Sequence, residues 1–187
     1  MMKIKKACFV ILAIAAIAAS TAHASQGLDE AMMSVRSPED IARFFSQKLT
    51  YTMTLPDRVH SPEETMEARS GDCDDFAILA SEMLTRMGVE NQVIVIKFRD
   101  LNIMHAVCVW KDKNGFYSFI SNQEFQRTGQ RTVEGAVRKF YPDCAAMVVI
   151  NPKTYVRSSP SSGISSARAY RGSDLMTNLD PRISAGL

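Results

Sequence analysis

Two residues of this 187-residue chain stand where thiol chemistry can be done. Cys73 lies two positions after Gly71 and opens the most regular apolar repeat of the sequence, which puts its thiol on the first turn of a helix. Unsatisfied backbone N–H groups and the helix dipole favour an anion there, and a thiol so placed can titrate between about 3.5 and 7.5 instead of ~8.5. Asp72, Asp74 and Asp75 act against this, since each disfavours a second negative charge, so a nucleophile at Cys73 needs a cationic partner. His105, 32 residues on, is the candidate. Its neighbours Ala106, Val107, Cys108 and Val109 are apolar, so the imidazole is either a satisfied core group or the base of a site. Cysteine and histidine far apart in sequence but adjacent in space form the usual thiol-nucleophile pair. A third group must then hold the far ring nitrogen, and the next strand ends at Phe119-Ile120-Ser121-Asn122. Either Ser121 or Asn122 can accept that bond; Asn122 is the expected one because its carbonyl oxygen is a fixed acceptor.

The elements that must position these groups follow from local signals. Ser37-Pro38-Glu39-Asp40 carries a cap, a first-turn proline and early acids, and Ile41, Phe44, Phe45 and Leu49 recur at helical spacing, predicting a helix over 38–48. Ser61-Pro62-Glu63-Glu64 repeats the start signal for a short helix that stops near Ser70-Gly71, with His60 just before it read as solvated. From Cys73, the positions Phe76, Ala77, Leu79, Ala80, Met83, Leu84 and Met87 make one continuous face, and Gly88 is the expected C-terminal cap. Val93 to Phe98, Ile103 to Trp110 and Phe116 to Ser121 are rich in β-branched and aromatic residues and read as three antiparallel strands. Thr132 to Tyr141 reads as a helix and Ala145 to Ile150 as a buried final strand. Helices first and a meander after them predict an α+β domain, N-terminal helices packed on an antiparallel sheet.

Lys3, Lys5 and Lys6 precede a thirteen-residue apolar run from Ala7 to Ala19, and Ala22-His23-Ala24 supplies a small-x-small cleavage site. Residues 1–24 therefore read as a secretory signal peptide; a spanning helix needs about 20 apolar residues, and Ser20, Thr21 and His23 end this run. The expected organisation is a leader over 1–24, a domain over 25–152 and a disordered Ser-rich tail over 153–187, where serine fills six of the nine positions from Ser158 to Ser166. Residues 25–152 hold 14 basic and 18 acidic side chains, a poor match to a nucleic-acid backbone. The exported chain keeps three cysteines, Cys73, Cys108 and Cys144. Cys108 falls on the opposite strand face from His105 and reads either as core or as a partner of Cys144; Trp110 reads as packing.

Ser61-Pro62-Glu63-Glu64-Thr65, Gly71-Asp72-Cys73-Asp74-Asp75-Phe76-Ala77, Met104-His105-Ala106-Val107 and the strand into Ser121-Asn122 together resemble the transglutaminase-like superfamily, closest to the bacterial transglutaminase-like cysteine proteinases. The resemblance spans about residues 38–125. It implies a papain-like core with Cys73 as nucleophile and His105 as general base, running acyl transfer through a thioester, and hence an exported peptidase or amidase acting on envelope proteins or peptides in the periplasm or outside the cell. At the third site position the family carries an aspartate, where this chain has Ser121 followed by Asn122. That departure supports the alternative of a weakened or inactive binding module. The oxyanion hole would use the Cys73 N–H and a donor from upstream, for which Tyr51 is the candidate beside its plainer reading as packing. No cofactor is required by this chemistry. In the envelope proteases of the family, acids flanking the cysteine can bind calcium, and Asp72, Asp74 and Asp75 match that pattern, although they also read as helix-capping acids.

Overall fold

The computed structural model describes residues 27–53, 58–99 and 103–158; the expected leader and the tail beyond 158 lie outside the described residues. Helix α1 crosses residues 27–34, an element the sequence reading omits, and buries Leu28 and Ala31, with Val35 just past its end. Helix α2 (Pro38–Lys48) starts where expected: Ser37 Oγ accepts from the Asp40 N–H, and the Asp40 carboxylate accepts from the Ser37 N–H at 3.0 Å. Strand β1 (Thr50–Tyr51), helix α3 (Pro62–Ala68) and strand β2 (Ser70–Gly71) follow. Helix α4 (Cys73–Arg86) is the central helix, with Phe76, Leu79, Ala80, Met83 and Leu84 fully buried. Gly88 follows it at φ +73°, the left-handed geometry that suits a residue without a side chain.

The remaining elements are β3 (Asn91–Phe98), β4 (Met104–Lys111), β5 (Tyr117–Ser121), β6 (Glu124–Gln130), helix α5 (Val133–Phe140), β7 (Cys144–Ile150) and helix α6 (Pro152–Ser158). Five of the strands form one antiparallel sheet in the order β6-β5-β4-β3-β7. The expected final strand is therefore an edge strand, reached by a crossover through α5, and its Ala145 and Ala146 are exposed. Strand β6 escapes the sequence reading because Glu124, Gln126, Arg127 and Gln130 break the apolar pattern; it is held instead by the two-residue connection Asn122-Gln123 and by pairing with β5. Gln123 locks that hairpin to α2, its Nε2 donating to the carbonyls of Phe45 and Leu49 at 3.2 and 2.8 Å.

Strand alternation sorts the sheet into two cores. Val93, Val95, Ala106, Cys108, Trp110 and Ile120 pack with α2 and α4 on one face; Ile94, Ile96, Val107, Val109, Phe119 and Cys144 pack with Val137 of α5 on the other. Cys108 and Cys144 thus lie on opposite faces, and no disulfide joins them, which removes their pairing. Tyr155 of α6 is buried in the α4-side core. The folded unit accordingly runs past residue 152, and the start of the expected tail is helix.

Candidate functional site

Helix α4 is laid on the sheet in a fixed direction by a polar pin at its far end. Asn91, which pairs with Trp110, accepts from Ser81 Oγ at 2.6 Å and donates to Thr85 Oγ1 at 3.1 Å. The C-terminal half of α4 therefore sits at the Asn91/Trp110 end of β3 and β4. Eight residues back along the helix, about 12 Å, its N-terminus lies toward the opposite end, where β4 begins at Met104 and His105. Cys73 is partly exposed at that terminus.

The turn into α4 is built on Gly71 and Asp75. Tyr51 pairs in parallel with Gly71, which brings β1 beside the helix start. A Cβ on Gly71 would lie 2.7 Å from Asp75 Cβ and 2.8 Å from Asp75 Oδ2, so only glycine fits. Asp75 is wholly buried; its Oδ2 accepts from the Asp72 N–H at 3.2 Å, and Oδ1 accepts from the His60 N–H at 2.7 Å. His60 Nδ1 lies 2.9 Å from Oδ2. The histidine expected in solvent is thus a fixed part of the turn, a contact hidden from the sequence by the 15 residues between the partners.

His105 is half-buried on β4 and pairs with Ile96, facing the α5 side of the sheet. Its Nε2 lies 2.8 Å from Ser121 Oγ, at the end of neighbouring β5. Ser121, and not Asn122, is the residue against the ring. Strand alternation turns the residue after Ser121 away from that line, and Asn122 takes a left-handed φ of +51° in the loop, with its Oδ1 buried and without a hydrogen-bond partner. Burial holds the His105 imidazole below its ordinary range, because the charged form loses water.

Tyr141 completes this cluster, and sequence reading misses its role: it was visible only as the end of a helix. The backbone at the C-terminus of α5 pins it, its N–H donating to the Val137 carbonyl at 2.8 Å. Its ring packs on His105 with centroids 5.5 Å apart, and its hydroxyl donates to Ser121 Oγ at 2.8 Å. Burial raises the Tyr141 hydroxyl above its usual range, the Ser121 hydrogen bond opposes that, and the charges of Glu124 and Cys73 add to the rise. Tyr141 thus touches His105 through its ring and feels the charge of Cys73, with His105 on the α5 side of the sheet and α4 on the other.

Tyr51 lies beside the start of α4 through its pairing with Gly71. Its ring stacks on Phe76 with centroids 6.4 Å apart, and its hydroxyl is pushed up first by burial and then by the charges of Cys73, Asp72 and Asp74. Asp72, Asp74 and Asp75 are all buried, with one ligand oxygen from each lying within 4.8 Å of the others. Asp75 is already engaged by Asp72 and His60, whereas Asp72 Oδ1 is buried and lacks a hydrogen-bond partner. Cys108 is a different kind of thiol: fully buried, it donates to Asn91 Oδ1 at 3.6 Å, and burial pushes it far above the ordinary thiol range.

A helix headed by a cysteine, packed on an antiparallel sheet whose adjacent strands bring histidine and serine together, makes this a thiol-bearing α+β domain. It belongs to the transglutaminase-like family: a family model described as a transglutaminase-like domain matches residues 20–126, more than half of the chain. Among solved structures, the chain is similar to Legionella pneumophila LapG at 19% identity and a TM-score of 0.46, over 65% of this chain and 68% of that one. The EGTA-treated form of the same protein gives the same identity and score, over 65% and 67%. The calcium-bound form aligns at 17% identity and a TM-score of 0.47, over 83% of this chain and 86% of that one. No curated protein sequence matches. Among the described residues, no helix is long and apolar enough to cross a membrane.

Proposed function

We propose that this chain is an exported, cysteine-dependent acyl-transfer enzyme, a peptidase or amidase acting on proteins or peptides of the cell envelope, in the periplasm or outside the cell. The leader-like residues 1–24 motivate export, and the domain that follows carries the chemistry. The observation that carries the reading is the engagement of His105 Nε2 by Ser121, which leaves Nδ1 as the nitrogen to take a thiol proton, together with Cys73 at the head of α4 toward the same end of the sheet.

In this mechanism His105 Nδ1 takes the Cys73 proton as the sulfur adds to the substrate carbonyl carbon. The resulting oxyanion is met by the Cys73 N–H at the helix N-terminus, where the dipole also favours it, with Tyr51 as the second candidate donor. When the C–N bond breaks, the leaving amine takes the proton from His105 and a thioester remains. Water, deprotonated by the same imidazole, then releases the acid and restores the thiol.

Calcium fits the acidic turn in part. Asp72, with a buried oxygen lacking a hydrogen-bond partner, and Asp74 would be the ligands, while Asp75 is committed to holding the turn. Bound there, the ion would neutralise the acids that crowd Cys73.

The pH dependence of Cys73 alkylation, with His105→Ala as comparison and Cys73→Ser assayed on casein-like and glutaminyl substrates, tests the reading. A thiol more reactive near neutral pH than a free cysteine, slowed by loss of His105, and turnover abolished in Cys73→Ser are expected. An ordinary thiol insensitive to His105 would overturn it. A non-catalytic binding module is the second reading, favoured by the hydroxyl at Ser121 where the family resemblance implies a carboxylate. A preparation that binds peptides without turnover, in wild type and Ser121→Asp alike, would establish that reading instead.

A further inference from the structure

Ser121 differs from a carboxylate in that it brings its own proton, and this proton must go somewhere. A serine hydroxyl has one hydrogen and two lone pairs. In the resting arrangement the Tyr141 hydroxyl donates into Ser121 Oγ at 2.8 Å, which leaves the serine hydrogen free to point at His105 Nε2, 2.8 Å away. That chain suits a neutral imidazole with an unprotonated Nε2. A ring that collects a proton at Nδ1 must first be the other neutral tautomer, its single hydrogen passed from Nδ1 to Nε2 by way of solvent, and Nε2–H must then donate to Ser121 Oγ. Two hydrogens would meet on that line unless the serine hydrogen turns away, and the remaining contact of Ser121 Oγ among the described residues is the Tyr141 oxygen.

We infer that Tyr141 is a positioning residue for His105: its hydroxyl reverses from donor to acceptor with that of Ser121, so that the pair Ser121–Tyr141 keeps Nε2–H hydrogen-bonded when the ring is charged, the orienting part of a carboxylate's role without its charge. This rests on the reading of His105 as the base. The chain His105 Nε2–H to Ser121 Oγ–H to Tyr141 Oη keeps every hydrogen bond in that tautomer and in the imidazolium formed from it, and neither hydroxyl gives up its proton. The ring of Tyr141 is held for the role by Phe98, Phe119 and His105 at centroid distances of 6.0, 6.0 and 5.5 Å. Its raised titration range keeps it a neutral phenol, able to give or accept, throughout the working pH. Among the described residues, the charged groups that act on Tyr141 are Cys73 from α4 and Glu124 from β6; Ile96, opposite His105 on β3, is uncharged.

Tyr141→Phe keeps the ring and removes only the reversing hydroxyl. The titration of His105, followed by imidazole NMR in the full folded protein with His60→Gln used to assign the signals, should fall by about half a pKa unit or more in this variant. If wild-type turnover is found, kcat/KM near neutral pH should drop about three- to tenfold, with thermal stability little changed. In a Ser121→Asp background the same substitution should no longer move the His105 titration, since the carboxylate has no proton to redirect. A His105 titration unchanged by Tyr141→Phe in the Ser121 protein overturns the inference, even if Cys73 and His105 prove essential for turnover. The NMR shift with no turnover in any variant would sustain the inference on geometry and reject the enzyme reading.

Discussion

Asp75 holds His60 twice, through the main-chain N–H at 2.7 Å and through ring Nδ1 at 2.9 Å, while also accepting from the Asp72 N–H at 3.2 Å. One buried carboxylate thus ties the segment before α3 to the turn that presents Cys73. The third residue of α4 is therefore a joint between two pieces of chain and not only a cap.

Asp75→Ala should cost about 2–3 kcal/mol, because the buried Asp72 N–H and the half-buried His60 N–H both lose their acceptor. His60→Ala removes only the ring contact and keeps the main-chain one, so it should cost about 1 kcal/mol. Urea denaturation of both variants checks the order; equal losses would place the hold in the imidazole instead of the backbone.

Gly71→Ala forces a methyl to within 2.7 Å of Asp75 Cβ, against the first turn of α4 and not against a flexible tip. Overpacking of this kind costs about 1–3 kcal/mol. The displacement falls next to Cys73, so alkylation of Cys73 should change alongside the melting temperature. A variant as stable and as reactive as wild type would mean that the turn relaxes at no cost.

Calcium, if it binds the acidic turn, should raise the melting temperature in wild type and not in Asp72→Asn, with the effect reversed by chelator. Stabilisation by ligand follows its concentration relative to its dissociation constant, so a titration distinguishes a site from general screening. An equal shift in wild type and Asp72→Asn would remove Asp72 from any such site.

The cysteines should separate by burial. Alkylation of the native protein should label Cys73 alone, since Cys108 and Cys144 are buried and Cys108 is pushed far above the ordinary thiol range. All three described cysteines should react after denaturation. Mild oxidation should give no Cys108–Cys144 bridge, because the sheet stands between them; an intact mass two hydrogens lighter, with the linked peptides found, would contradict the two-face assignment.

Much of this architecture was legible in the sequence where local physics decides it. Ser37 and Ser61 with their prolines marked helix starts, and the Phe76-to-Met87 repeat marked the central helix and so the place of Cys73. Strand alternation sent Cys108 away from His105 correctly. What stayed hidden depends on groups meeting over distance. His60 reads as solvated because nothing near it in sequence reveals Asp75. Side-chain chemistry alone favours Asn122 over Ser121, but the strand ends between them and it is Ser121 that points at His105. Tyr141 reaches His105 only because α5 crosses the back of the sheet, and β6 carries too few apolar residues to announce itself.

The pH dependence of stability should carry the mark of His105. Burial lowers its titration below the ordinary value of 6.5, so between the folded and unfolded values the unfolded chain binds more protons. Stability must then rise with pH across that window: the contribution is fully present above 6.5 and is lost as the pH falls toward the folded value. Denaturation from pH 4.5 to 7.5, compared with His105→Gln, isolates it, since the variant should lose less stability on acidification than wild type. Ser121→Asp offers the opposite sign. A carboxylate in place of the Ser121 hydroxyl, which lies 2.8 Å from Nε2, would favour the imidazolium and raise the folded titration value, so its stabilisation would be present at low pH and lost as pH rises through that value. Parallel curves for wild type and His105→Gln would mean that the imidazole titrates alike in the folded and unfolded chain, and that the contact with Ser121 and the burial by Tyr141 exert no net hold on its charge.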